Sequence, residues 1–118
     1  MECVLNVPRC NYFERIVCHG YYRGGALVRT EPPLELIMLG LSELGMAAVT
    51  DQRFEQGDVL LYDIRLDGIP YDKLMGEVKC SRLQGYMYRL DIQFLGMPNT
   101  LFERIKEMLK LQEGHHDQ

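Results

Sequence analysis

Apolar and polar residues alternate with period two over two long stretches of the chain. Tyr62, Ile64 and Leu66 alternate with Asp63, Arg65 and Asp67, and Tyr88, Leu90, Ile92 and Phe94 alternate with Arg89, Asp91 and Gln93. Successive strand side chains point to opposite faces, so this pattern buries one face of a sheet and wets the other. Shorter apolar runs of strand length cover 34–39, 46–50 and 74–83, and Asn11 to Cys18 reads as a further strand. Breaks separate them at His19-Gly20, Gly24-Gly25, Glu31-Pro32-Pro33, residues 40–45, Gln56-Gly57-Asp58, Asp67-Gly68 with Pro70, and Gln84-Gly85. The period changes after Gly96. Thr100 and Glu103 fit a capping box, Leu101, Phe102, Ile105, Met108 and Leu109 recur at helical spacing, and Gly114 supplies a stop. About six strands closed by one helix predict an all-β fold, a six-stranded antiparallel β-barrel with a C-terminal α-helix over one opening. Residues 1–33 read as an N-terminal extension with a first strand region, 34–113 as the barrel core with its helix, and 114–118 as a polar tail.

A chain of 118 residues has room for one domain and needs neither metal nor disulfide to fold. Thirteen Lys and Arg against 17 Asp and Glu give a net charge of −4. That balance excludes a whole-surface nucleic-acid binder and leaves room only for a local basic pocket. No apolar run approaches the roughly 20 residues of a membrane span, and the first ten residues lack the basic and apolar regions of a signal peptide. The expectation is a soluble, cytoplasmic protein. Cys3, Cys10, Cys18 and Cys80 include no Cys-x-x-Cys pair, and adjacent Cys18 and His19 diverge on extended chain. Reduced thiols and no bound metal are expected.

Several short motifs, in order over 34–110, resemble the PilZ domains of bacterial cyclic di-GMP signalling. Ser42-Glu43-Leu44-Gly45-Met46 is similar to the later part of the family's [D/N]-x-S-x-x-G motif. Gly57-Asp58 before Val59-Leu60-Leu61, then Gly76-Glu77-Val78, resemble the family's central strands. The segment from Tyr88 to Phe94 resembles its closing strand and Phe102-Glu103-Arg104-Ile105 its terminal helix. The resemblance implies a PilZ-like six-stranded barrel. It also implies departures. Nucleotide-binding members carry an R-x-x-x-R motif ahead of the first barrel strand, whose guanidiniums suit phosphate and guanine edges. No arginine at 9, 15, 23, 29 or 53 has another four residues on, and Gly40 stands where the second motif opens with an acid or amide.

The candidate ligand contacts are therefore Ser42 and Gly45, with Arg23 and Arg29 as substitutes for the missing pair. At a spacing of six, the two arginines share a face if their segment is one strand. Ser42 equally serves as a turn cap and Gly45 as a close backbone approach. Tyr21, Tyr22 and Arg23 form a candidate protein interface, because Tyr and Arg most often anchor such surfaces. His19, His115 and His116 are the only histidines, Asp63, Asp67 and Asp72 read as a wet strand face and its loop, and no phosphate-cradling glycine loop occurs. An enzyme is not expected. The leading expectation is a regulatory domain that binds cyclic di-GMP weakly or not at all and contacts protein partners in motility, pilus or second-messenger control, a second copy included. A receptor using non-standard arginines and an unrelated small-barrel interaction module are the alternatives.

Overall fold

A computed structural model describes residues 10–116. Residues 1–9 of the N-terminal extension, with Cys3 and Arg9, and residues 117–118 of the polar tail lie outside the described residues. The strands are β1 (Cys10–Arg23), β2 (Ala26–Leu41), β3 (Gly45–Thr50), β4 (Val59–Leu66), β5 (Ile69–Gln84) and β6 (Met87–Leu95), followed by the helix α1 (Asn99–His116). They form one antiparallel sheet in the order β1-β2-β3-β6-β5-β4. β4 also pairs with β1, so the hydrogen-bond ladder closes on itself.

The period-two pattern places the core. Leu60, Tyr62, Ile64 and Leu66 of β4 are buried in alternation, as are Ile16 and Cys18 of β1, while β6 buries Leu90, Asp91 and Ile92 in a row. Burial in this apolar interior pushes the Tyr62 phenol and the Cys18 thiol above their ordinary values, the thiol despite bonds with the Gly20 and Leu61 backbone. The 51–58 segment links β3 to β4 across one end of the sheet and adds Phe54, 2% exposed, to the core. At the other end α1 follows β6 and adds Leu101, Ile105 and Leu109 to the same cluster. Among the described residues no helix is long and apolar enough to cross a membrane.

Local rules gave way at four places. β2 runs through the expected break at 31–33, so the boundary between 33 and 34 falls inside a strand. The pairing there steps from Gly20↔Arg29 to Cys18↔Leu34. Two prolines cannot donate to a ladder, and this outward excursion of β2 absorbs them. Pro70 lies within β5, opposite Arg65, rather than ending a strand. The helix starts at Asn99, where the Pro98 carbonyl accepts from the Leu101 and Phe102 amides in place of the expected Thr100 cap, and it continues through Gly114. Cys10 and Cys18 are buried thiols outside any disulfide, whereas Cys80 is disulfide-bonded, against the expectation of four reduced thiols.

Candidate interaction surface

The β1–β2 hairpin turns at Gly24-Gly25, both at positive φ (58° and 81°), a conformation that glycine adopts without a Cβ penalty. Tyr21, Tyr22 and Arg23 precede that turn and divide between its two faces. Tyr21 packs edge-on against Phe54, with ring centroids 5.3 Å apart at 83°. The Arg23 guanidinium lies 5.0 Å from the Tyr21 ring centre and clasps Asp58 with two bonds, Nε to Oδ1 at 2.9 Å and Nη2 to Oδ2 at 2.6 Å. The Glu55 carboxylate stands 3.4 Å from Arg23 Nε, and the Glu55 amide donates to Asp58 Oδ2 at 2.8 Å. Asp58 is 2% exposed. Burial works to raise its pKa, but Arg23 and the Glu55 amide outweigh burial and hold it below the ordinary carboxylate value. The cluster fastens the hairpin to the 51–58 segment.

Tyr22 is on the other face, outward, opposite Leu27 of β2 and Val59 of β4. Tyr22 and Leu27 are 38% and 39% exposed, an aromatic–aliphatic pair on the outside of the sheet. Of the three residues suggested for an interface, Tyr22 faces outward, whereas Tyr21 packs on Phe54 and Arg23, its side chain still 37% exposed, is tied to Asp58.

Arg29 and Arg23 do not converge. The expectation that a spacing of six puts them on one face holds for a continuous strand, and the Gly24-Gly25 turn folds this one back. Arg23 pairs with Ala26 and Arg29 with Gly20, three rungs apart, so their side chains leave opposite faces of the hairpin. Arg29 instead lines a separate cleft of about 430 Å³ with His19, Thr30 and the 31–33 excursion.

Ser42 and Gly45 build the β2–β3 turn. The Ser42 hydroxyl accepts from the Leu44 amide at 3.2 Å and the Gly45 amide at 3.1 Å, and it donates to the Gly45 carbonyl at 3.3 Å. Ser42 N also donates to that carbonyl at 2.8 Å. Ser42 is 3% exposed, so its polar atoms are spent within the turn. A Cβ on Gly45 would collide with the Ile92 carbonyl oxygen and sit 3.2 Å from the Gln93 Cα, so β3 and β6 pair this closely only because the residue is glycine.

Two further groupings escape sequence reading. His19 Nε2 lies 2.7 Å from Asp63 Oδ2, and Asp63 Oδ1 accepts from the Lys73 amide at 3.0 Å, where Lys73 sits at a φ of 57°. Asp63 thus ties β1 to β5 beside a groove of about 800 Å³ that includes Arg15, Arg65 and Tyr71. The groove is lined by both carboxylates and cations, and among the described residues no three His, Cys, Asp or Glu gather as metal ligands. On β6, Asp91 is 5% exposed, and Arg89 Nε stands 3.8 Å from its Oδ1. Burial raises the Asp91 pKa, more than the fields of Arg89 and Arg82 lower it. The alternation that marks β6 as a strand gives Asp91 an outward position, and it does not signal that burial. Comparison of the chain with protein-family models, with curated proteins and with solved structures gives no significant match.

Proposed function

We propose that the closed sheet is a PilZ-like barrel and that the chain is a regulatory binding module rather than an enzyme, acting in the cytoplasm through protein contacts in motility, pilus or second-messenger control. It does not hold cyclic di-GMP tightly. The observation that carries this reading is that the polar groups suited to a nucleotide are already committed. Ser42 is bonded within its own turn, and Arg23 is clasped by a buried carboxylate. Arg29 leaves the opposite face. A ligand would have to break the Arg23–Asp58 pair, leaving a buried carboxylate with its amide bond alone, before it gained a phosphate contact. The outward Tyr22–Leu27 pair supports a protein-contact role, because an aromatic ring beside an aliphatic side chain covers apolar area at small entropy cost.

Titration calorimetry with cyclic di-GMP tests the first half. The expected outcome is no binding tighter than about 100 μM, and a low-micromolar dissociation constant overturns it. Affinity capture from a bacterial lysate tests the second half, comparing wild type with a Tyr22→Ser, Leu27→Ser variant. Arg23 is left intact because its loss would disturb the fold. A specific partner lost from the variant at unchanged thermal midpoint supports the reading, and an unchanged partner set removes it.

A further inference from the structure

The β5–β6 hairpin ends in side chains that the fold leaves outside its core. Its last four rungs pair Ser81 with Leu90, Arg82 with Arg89, Leu83 with Tyr88 and Gln84 with Met87, and Gly85-Tyr86 makes the turn. Tyr86 is 97% exposed, Leu83 63% and Met87 37%. Three large apolar side chains therefore stand at one tip. None of them is needed to close the sheet, whose core lies further down both strands.

The charge of the same tip runs against that of the chain. Residues 81–90 contain two arginines and no Asp or Glu, in a protein of net charge −4. Arg82 and Arg89 lie directly opposite one another, and both share the field of the buried Asp91 carboxylate, whose Oδ1 is 3.8 Å from Arg89 Nε. Arg53 lines a groove of about 530 Å³ at the base of the hairpin, together with Glu55, Ser81, Leu83 and Tyr88. Of the nearby carboxylates, Glu55 is drawn to Arg23 at 3.4 Å, Glu77 to Lys79 at 3.1 Å, and Asp91 sits buried behind Arg89 at 3.8 Å. None of the three belongs to the last four rungs.

We propose that this hairpin docks on the surface of a bilayer containing anionic lipid, with Leu83, Tyr86 and Met87 entering the interfacial layer and Arg82 and Arg53 meeting lipid phosphates. Tyrosine favours the membrane–water boundary, where its ring is in apolar surroundings and its hydroxyl stays wet. Leucine and methionine gain from the acyl region below it, and cations beside an anionic leaflet add attraction that salt screens. The shape selects a bilayer over other partners. A two-residue turn is too narrow to bury the roughly 800 Å² per side of a standard protein interface, whereas a bilayer yields around a projection. Single-stranded nucleic acid stacks on aromatic platforms, and here the fully exposed ring is flanked by aliphatic side chains instead. The proposal concerns the opposite side of the closed sheet from the Tyr22–Leu27 pair and does not rest on the PilZ-like reading.

Vesicle flotation of the full chain tests it, with phosphatidylcholine vesicles and with vesicles carrying about 30 mol% phosphatidylglycerol. The expected result is at least a roughly tenfold preference for the anionic vesicles, lost at about 1 M salt. A Leu83→Ser, Tyr86→Ser, Met87→Ser variant should lose binding with an unchanged circular-dichroism melting curve, since all three side chains are exposed. Arg82→Gln should weaken binding by about fivefold, the effect of one cation near an anionic leaflet. Equal flotation of wild type and the tip variant overturns the proposal, as does indifference to lipid charge. So does tip-dependent retention of a single-stranded RNA oligomer, or tip-dependent self-association in sedimentation velocity, without vesicle binding.

Discussion

Replacing Gly45 with alanine separates an architectural role for the Ser-x-x-Gly turn from a ligand-binding one. The added Cβ meets backbone on β6, striking the Ile92 carbonyl oxygen with the carbonyl carbon 3.0 Å away and Gln93 Cα at 3.2 Å. No flexible side chain can swing aside, so the turn and the start of β3 must move away from β6. That movement pulls on two bonds, from the Phe94 amide to the Leu44 carbonyl at 2.9 Å and from Ser42 N to the Gly45 carbonyl at 2.8 Å. Each contributes about 0.5–1.5 kcal/mol net, and overpacking in a filled site adds about 1–3 kcal/mol. The expected loss is therefore about 2–6 kcal/mol, a large part of the roughly 5–15 kcal/mol that holds a domain together. Urea unfolding followed by far-ultraviolet circular dichroism measures it. With a slope of about 1–3 kcal/mol/M, the midpoint should fall by at least about 0.7 M. Gly25→Ala is the control: its φ is 81° but nothing lies within 4 Å, so it should cost only about 1–2 kcal/mol of backbone strain. A Gly45→Ala midpoint within about 0.2 M of wild type would refute the steric argument and return Gly45 to the ligand candidates.

Ile105 is fully buried at the end of the sheet covered by α1, and Ile105→Ala should cost about 2–5 kcal/mol in the same assay; a loss below about 0.5 kcal/mol would mean the helix does not pack there. Asp58, with its lowered pKa, stabilises the fold fully above the unfolded value of about 3.9, and that contribution drains away as pH falls through the folded value. The margin of wild type over Asp58→Asn should thus be flat from about pH 5 to 8 and shrink below about pH 4, and a margin independent of pH would contradict the pairing. Asp91, with its raised pKa, has the opposite sign: its contribution is present below about 3.9 and lost as pH rises through the folded value. Asp91→Asn should therefore gain on wild type between about pH 4 and 7, and wild type gaining on the variant over that range would reverse the assignment.

The elements follow from local pattern alone. Period-two alternation over Tyr62–Leu66 and Tyr88–Phe94, and the helical spacing of Leu101, Ile105 and Leu109, are consequences of local geometry, so six strands and one C-terminal helix were legible without any contact map. The turn at 42–45 was legible for the same reason, because Ser42 bonds to amides two and three residues away. Where the charged side chains meet depends instead on long-range folding. Arg23 finds Asp58 across 35 residues and His19 finds Asp63 across 44, distances over which no periodicity constrains pairing. The parity argument that put Arg23 with Arg29 failed because a reversal at Gly24-Gly25 makes two neighbouring strands of one segment. Similarly, Pro32 and Pro33 look like a strand break in one dimension, yet the ladder closes around them because β2 spends four residues, 30–33, against the single His19 of β1. Exposure was decided last of all. Leu83 and Leu90 are indistinguishable as letters, but one lies at a hairpin tip and the other in the closed interior, and only the strand register assigns them.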